Sequence, residues 1–181
     1  MPSGAEAMAG AVTVAAQQRQ LRLLGLSLAV LTFVVDQAHK FAMLYGFGFI
    51  DMGPGESVPV TGFFNLVMVW NPGISYGLFP ASGTLGTVAL VAVILAVVGF
   101  LGWWLWKAQG LAVALGCGLE IGGGLANLLD RLIYGAVADF FHFHAFGYNW
   151  YVFNIADVAV VLGAMAFIYD VLKPSESSDN A

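Results

Sequence analysis

The chain has 181 residues, of which 60% are hydrophobic and only 9% are charged, and its mean hydropathy is +0.84. Because a soluble domain carries roughly a quarter charged residues, this composition excludes an ordinary soluble protein and indicates a one-domain integral membrane protein. The formal net charge of −5 argues against nucleic-acid binding, which needs a basic surface. The single cysteine, Cys117, excludes an intrachain disulfide.

Polar segments are predicted at both ends of the chain. Residues 1–22 lack a basic region ahead of an apolar core, so they do not read as a cleavable signal peptide. We expect them to form a mobile N-terminal cytoplasmic tail. Residues 173–181 are polar and serine-rich, which predicts a second, disordered tail.

Four segments between the tails are long and apolar enough to cross a bilayer as helices, which takes about twenty residues. They are residues 23–45, 84–106, 111–133 and 153–172, and together with their connections they form the predicted membrane domain, residues 23–172. Most of the basic residues fall on one side of these four crossings: Arg19, Arg22, Lys107 and Lys173. The positive-inside rule makes that side cytoplasmic, so both termini are predicted to be cytoplasmic.

Two connections then face outward. Residues 46–83 contain VPVTGFFNLVMVW, whose β-branched and aromatic residues between Gly and Pro turns are typical of strands. Residues 134–152 form a second, aromatic-rich outer loop. The predicted fold class is an all-α membrane protein, with four transmembrane helices and a small extracytoplasmic β-sheet lying on the outer membrane surface.

Polar residues in the first span are the first functional candidates. Asp36 and Lys40 are four residues apart, so they share a helix face and can form an ion pair. One interpretation is structural, with the lysine extending its ammonium to the outer headgroups. The other is direct contact with a substrate, and the sequence leaves both open.

The third span ends in a second polar group. Gly122, Gly123 and Gly124 predict close helix packing, since small residues let helices approach in a membrane. Asn127 and Arg131 lie one turn apart on one face, and a guanidinium there can bind a peptide carbonyl or a lipid ester. The alternative is that Asp130 pairs with Arg131 and closes the helix end.

Two aspartates are the strongest candidates for chemistry. Asp139 follows the third span and Asp157 lies one turn into the fourth, so both are expected near the outer interface. Two carboxyls held close together cannot both ionise cheaply, so one proton is shared and one pKa rises. Such a pair can activate water and polarise a carbonyl, as in aspartic proteases. The alternative is two unrelated buried aspartates.

Other chemistries have weaker support. His142 and His144 share a face if the segment is extended, but no HExxH or similar helical metal motif accompanies them. Ser75 and Ser82 lack a G-x-S-x-G turn and a partner base.

Glu120, in the middle of the third span, suggests no specific role. A proton-coupled carrier would need acids spaced through the bilayer depth, whereas only Glu120 is deep; a non-catalytic assembly factor is a third possibility.

Taken together, four sequence blocks resemble the lipoprotein signal peptidase (signal peptidase II) family of bacteria. In the family's order they are DQAHK (36–40), FFNLVMVWNPGISYG (63–77), GGGLANLLDR through VADF (122–140) and FNIAD (153–157). The resemblance covers about residues 20–172.

The resemblance implies a metal-free and cofactor-free aspartic endopeptidase of the bacterial inner membrane, with its active site near the periplasmic face. Such enzymes cut the signal peptide from a prolipoprotein just before the cysteine that carries a diacylglyceryl group. The partners expected are these substrates and membrane lipids, without nucleic acid, and the expected state is a monomer.

The family's functional residues can be carried over by motif. The catalytic pair falls on Asp139 and Asp157. The implied substrate contacts are Asn71, Asn127, Arg131 and Asn154. The implied supporting residues are Asp36, Lys40, Gly73 and Asp130, with Gly77 in the loop beside the site. Ala126, Val158 and His39 depart from the family's usual residues, which affects the fine geometry of the site and not the aspartates.

Overall fold

The computed structural model describes residues 4–73 and 83–173. It contains four helices, α1 (Gly4–Phe41), α2 (Gly83–Trp106), α3 (Leu111–Tyr134) and α4 (Ile155–Leu172). Four strands accompany them: β1 (Ser57–Thr61), β2 (Phe64–Asn71), β3 (Val137–Ala145) and β4 (Tyr148–Asn149). Each helix has a segment long and apolar enough to cross a membrane, which confirms the four predicted spans.

Helix α3 is the centre of the bundle. About 56% of its apolar 18-residue segment is buried inside the protein, against 17% to 22% for the corresponding segments of the other three spans. Glycines allow the close approach: a Cβ at Gly122 would lie 2.5 Å from the Ala29 carbonyl oxygen of α1, and one at Gly123 would lie 2.7 Å from the Ala156 oxygen of α4. The predicted packing role is therefore confirmed for Gly122 and Gly123, whereas a Cβ at Gly124 would make only an ordinary contact, 3.6 Å from Val98.

The first helix begins earlier than the sequence predicted. Residues 4–22 continue α1 without a break, where we expected a mobile tail. The reason is helix propensity, because the segment is rich in Ala and Gln and contains no proline. At its other end α1 passes through a π-helical turn, Ala42–Gly46, and a 3-10 turn, Phe49–Asp51.

The four strands form one antiparallel sheet in the order β1-β2-β3-β4. Strands β1 and β2 confirm the predicted sheet. Strand β3 lies where the sequence suggested an aromatic loop, and it pairs along β2 with Val69 opposite Asp139. The loop interpretation was wrong because the first four residues of β3 are buried on both faces, so they show no apolar–polar alternation.

A small core fixes the sheet to the end of the bundle where α1 ends and α4 begins. Met43, Leu44 and Phe49, from the turns that follow α1, pack against Ala138 and Phe140 of β3. Backbone hydrogen bonds between Phe141 and Phe153 then hold the segment before α4 beside β3. This arrangement brings the start of α4 next to the strand that carries Asp139.

Candidate active site

The two candidate catalytic aspartates come from different kinds of element. Asp139 lies on β3 and is 1% exposed. Asp157 lies in the first turn of α4, whose N-cap is Asn154. The Asn154 side chain accepts from the Asp157 backbone N–H (3.0 Å), and the Asp157 carboxyl accepts from the Asn154 backbone N–H (3.1 Å). This capping box fixes the position of Asp157.

Asn154 also connects the two aspartates. Its amide nitrogen donates to Asp139 Oδ1 at 2.6 Å, while its backbone N–H donates to Asp157 Oδ2. The side chain is fully buried, so this geometry is held by packing on all sides. One residue therefore forms hydrogen bonds with both carboxyls.

Three asparagine amides point their N–H groups at the pair. Asn71 donates to Asp139 Oδ2 (3.1 Å) and Asn127 donates to Asp157 Oδ1 (2.9 Å), in addition to the bond from Asn154. Each orientation is determined by what binds the amide oxygen. The oxygen of Asn71 accepts from the Gly73 N–H, that of Asn154 from the Asp157 N–H, and that of Asn127 from the Lys40 ammonium.

Because those three partners can only donate, each amide oxygen must face them and each NH₂ group must face an aspartate. All four carboxyl oxygens of Asp139 and Asp157 consequently accept a hydrogen bond from N–H. A set of donors directed at two carboxyls stabilises negative charge on the pair.

Opposing effects act on the pKa of Asp139. Burial raises it, the negative charge of Asp157 raises it further, and the hydrogen bonds from Asn71 and Asn154 lower it. The result is a pKa of about 7, against an ordinary value of 3.8. A carboxyl with a pKa near the working pH is suited to both giving and taking a proton during a reaction.

Lys40 is the cation that binds the buried carboxylates behind the pair. Its ammonium lies 2.9 Å from Asp36 Oδ2 and 2.7 Å from Asp130 Oδ2, and the residue is 2% exposed. The predicted Asp36–Lys40 pair is confirmed. The interpretation in which this lysine extends to the headgroups is wrong, because its ammonium points into the protein.

Both carboxylate partners of Lys40 also hold backbone groups. Asp36 Oδ1 accepts from the Ala156 N–H at 2.8 Å, next to Asp157. Asp130 Oδ2 accepts from the Ala138 N–H at 3.2 Å, next to Asp139. The two carboxylates thereby position the two segments that carry the catalytic candidates.

Arg131 does not pair with Asp130, so that alternative was wrong. Its Nη1 donates to the Asn127 carbonyl oxygen (3.0 Å) and its Nη2 to the Gly73 carbonyl oxygen (2.7 Å). Within the described residues its buried Nε makes no hydrogen bond. Asp130 is instead bound by Gln37 Nε2 at 2.9 Å. Gln37 was not predicted as a site residue, although it stands in the DQAHK block.

A cleft of about 350 Å³ opens beside Asp157. Its polar lining includes Asn71, Asn127, Arg131 and Asp157, and its apolar lining is largely contributed by α2. The structure therefore brings all ten predicted site residues into one connected region, either in the cleft or in the network behind it. Gly77, Ser75 and Ser82 lie outside the described residues.

The histidines lie elsewhere. His142 and His144 share one face of β3 with ring centroids 5.5 Å apart, as their spacing predicted. His144 lines a separate aromatic groove on the sheet, together with Phe63 and Trp150. His39 packs against Phe140 and Phe141.

Comparisons with known proteins agree with the resemblance noted above. The family model for signal peptidase (SPase) II matches residues 28–173. The chain is 46% identical over 153 residues to a lipoprotein signal peptidase of Rhodopseudomonas palustris strain TIE-1, covering 82% of this chain and 92% of that protein. It is 43% identical over 157 residues to a lipoprotein signal peptidase of Methylobacterium radiotolerans, covering 87% and 90%.

Two solved bacterial membrane enzyme structures share the fold. One matches with a TM-score of 0.73 at 24% identity, covering 87% of this chain and 92% of that chain. The other matches with a TM-score of 0.70 at 27% identity, covering 83% and 94%.

Removing the Lys40 charge tests the importance of the buried network. In Lys40→Met, Asp36 and Asp130 remain buried without a cation, so we expect a loss of about 3–5 kcal/mol in the free energy of unfolding. Thermal unfolding in detergent would measure the loss. Lys173→Met, at the exposed end of α4, is the control. Equal melting temperatures for the two variants would contradict the prediction.

Proposed function

Because the chain belongs to the signal peptidase II family, we propose that it is an intramembrane aspartic endopeptidase acting on diacylglyceryl-modified prolipoproteins. It removes the signal peptide by cutting before the lipid-modified cysteine. The observation that carries the proposal is the Asp139–Asp157 pair, joined through Asn154 and surrounded by N–H donors. No metal or cofactor is needed for this chemistry.

In the proposed mechanism the pair holds one proton, and that proton resides on Asp139. The assignment follows from the pKa of about 7 at Asp139, which burial and the Asp157 charge produce. Asp157 takes a proton from a water molecule as the water oxygen attacks the scissile carbonyl carbon. Asp139 donates its proton to the carbonyl oxygen, which gives a tetrahedral intermediate.

The intermediate then collapses with the roles reversed. Asp157 gives its proton to the leaving nitrogen as the C–N bond breaks, and Asp139 recovers a proton from a hydroxyl of the intermediate. The products are the carboxyl end of the signal peptide and the free amine of the cysteine. The pair returns to its starting state with a single proton.

We assign Asn71, Asn127, Arg131 and Asn154 to holding the substrate. Arg131 is the best supported of these, because its Nε has no partner among the described residues and its side chain lines the cleft. A guanidinium in that position can donate to a peptide carbonyl or to an ester oxygen of the diacylglyceryl group. Asp36, Lys40, Gly73 and Asp130 support the site through the contacts described above.

The proposed location is the bacterial inner membrane, with both termini cytoplasmic. Lys107, between α2 and α3, and Lys173, at the end of α4, lie at the end of the bundle opposite the sheet and the aspartates. The positive-inside rule then places the aspartates near the periplasmic face. A lipid-anchored substrate can reach this depth from within the bilayer, and a monomer suffices because one chain supplies every site residue.

Replacing each catalytic candidate in turn tests the function. Asp139→Asn and Asp157→Asn each remove one proton-transfer group with little change in shape, so each should lower the cleavage rate by at least about a hundredfold. The assay follows a diacylglyceryl-modified prolipoprotein on a gel. Asp51→Asn, at an exposed acid of the outer connection, is the matched control. Normal cleavage by either catalytic variant would contradict the mechanism and favour a non-catalytic role.

The pH dependence tests which aspartate holds the proton. If Asp139 must be protonated, kcat/KM should fall as the pH rises through about 7. The Asn71 hydrogen bond lowers the pKa of Asp139, so Asn71→Leu should move this fall to higher pH. A kcat/KM that rises with pH through 7 would assign the proton to the other carboxyl.

A further inference from the structure

Glu120 is a carboxyl-bearing residue in the cleft that the mechanism does not use. It shares one face of α3 with Gly124, Asn127 and Arg131, since the spacing 120, 124, 127 and 131 follows the helical repeat. All four residues line the same cleft. Seven residues of helix separate Glu120 from Asn127, which places it about 10 Å deeper in the bundle.

The surroundings of Glu120 provide room but no hydrogen bond. Val93, Val97 and Val160 form the cleft wall around it. Gly163 of α4 provides the space, because a Cβ there would lie 2.6 Å from Glu120 Cγ. In residues 4–73 and 83–173 the Glu120 carboxyl accepts no hydrogen bond, and it is only partly buried because it faces the open cleft.

A carboxyl without a partner favours a ligand that supplies a donor. When an apolar segment fills the cleft, water leaves and the carboxyl loses its hydrogen bonds, which costs free energy. A segment with a hydroxyl or amide at the right height avoids that cost. A carboxyl in this position would therefore favour segments with a hydrogen-bond donor over fully apolar segments in the cleft.

We propose that Glu120 is a specificity-determining residue that accepts a hydrogen bond from a hydroxyl or amide side chain in the apolar segment of the signal peptide. This inference rests on the proposed function for the identity of the bound peptide. In a signal peptide the apolar segment lies between a basic N-terminal region and the cleavage site. Because basic segments stay on the cytoplasmic side, the apolar segment extends from the site toward that side.

The depth of Glu120 in the bundle determines which residue of the substrate lies beside it. An extended peptide advances about 3.3 Å per residue, so 10 Å corresponds to roughly the third residue before the scissile bond. A helical peptide advances about 1.5 Å per residue, which corresponds to roughly the seventh. The position that responds therefore also reports the conformation of the bound signal peptide.

The test is a serine scan of the substrate. Diacylglyceryl peptides with alanine or serine at each of the third to seventh positions before the scissile bond are bound to the protein in nanodiscs. The protein carries Asp139→Asn and Asp157→Asn, so that binding is measured without cleavage. Glu120→Leu and Glu120→Gln are compared with Glu120, and Asp170→Leu, which removes an acid lining a separate pocket near Leu111, is the control.

At one position the serine peptide should bind about tenfold more tightly than the alanine peptide, as expected for one buried hydrogen bond. Glu120→Leu should reduce this ratio to about one, Glu120→Gln should keep part of it, and Asp170→Leu should keep all of it. The proposal would be overturned if Glu120→Leu gave the same serine-to-alanine binding ratio as the protein that retains Glu120. It would also be overturned if the protein that retains Glu120 preferred serine at no position.

A cleavage assay tests the proposed function independently of the binding measurements on Glu120. With both aspartates restored, the protein either cleaves these peptides or does not, whatever the serine-to-alanine binding ratio. Binding selectivity without cleavage would support Glu120 as a recognition residue and contradict the proposed peptidase activity. Cleavage without selectivity would support the peptidase activity and contradict the role of Glu120.

Discussion

The arrangement of the site depends on one buried ammonium. Lys40 contacts Asp36, Asp130 and the amide oxygen of Asn127 within 2.7 to 2.9 Å. Asp36 holds the backbone before Asp157, and Asp130 holds the backbone before Asp139. A cation on α1 therefore sets the positions of two acids that it does not contact. Such a network is costly to bury, and it is tolerated where it specifies a single geometry.

The same network explains how two acids can coexist in an apolar bundle. Burial and mutual repulsion favour a proton on the pair, whereas the asparagine N–H groups favour negative charge. Neither effect dominates at Asp139, so its pKa lies near neutrality and not at either extreme. The amides must be oriented for this balance, and the Lys40 ammonium and the backbone N–H groups of Gly73 and Asp157 orient them.

Local patterns in the sequence predicted the four spans, the strand-like segment VPVTGFFNLVMVW and the Asp36–Lys40 pair, because hydropathy, strand composition and the i, i+4 spacing act over short range. Strand β3 was missed because its first four residues are buried on both faces and show no alternation. The bond from Asp36 to the Ala156 N–H joins residues 120 positions apart, and no pattern within one segment reports it. The resemblance indicated the candidate site residues, but their hydrogen-bond directions required the fold. We could propose a role for Glu120 only because the structure shows that its face of α3 lines the cleft.

The most direct test of the peptidase assignment is the mass of the products made by the purified protein. The protein in nanodiscs, with a chelator present, is given a diacylglyceryl-modified prolipoprotein, and the fragments are analysed by mass spectrometry. We predict a single cut that leaves the lipid-modified cysteine as the new N-terminus. An intact substrate in the presence of folded protein, cleavage that requires added metal, or a cut at another bond would contradict a metal-free aspartic pair acting at this position.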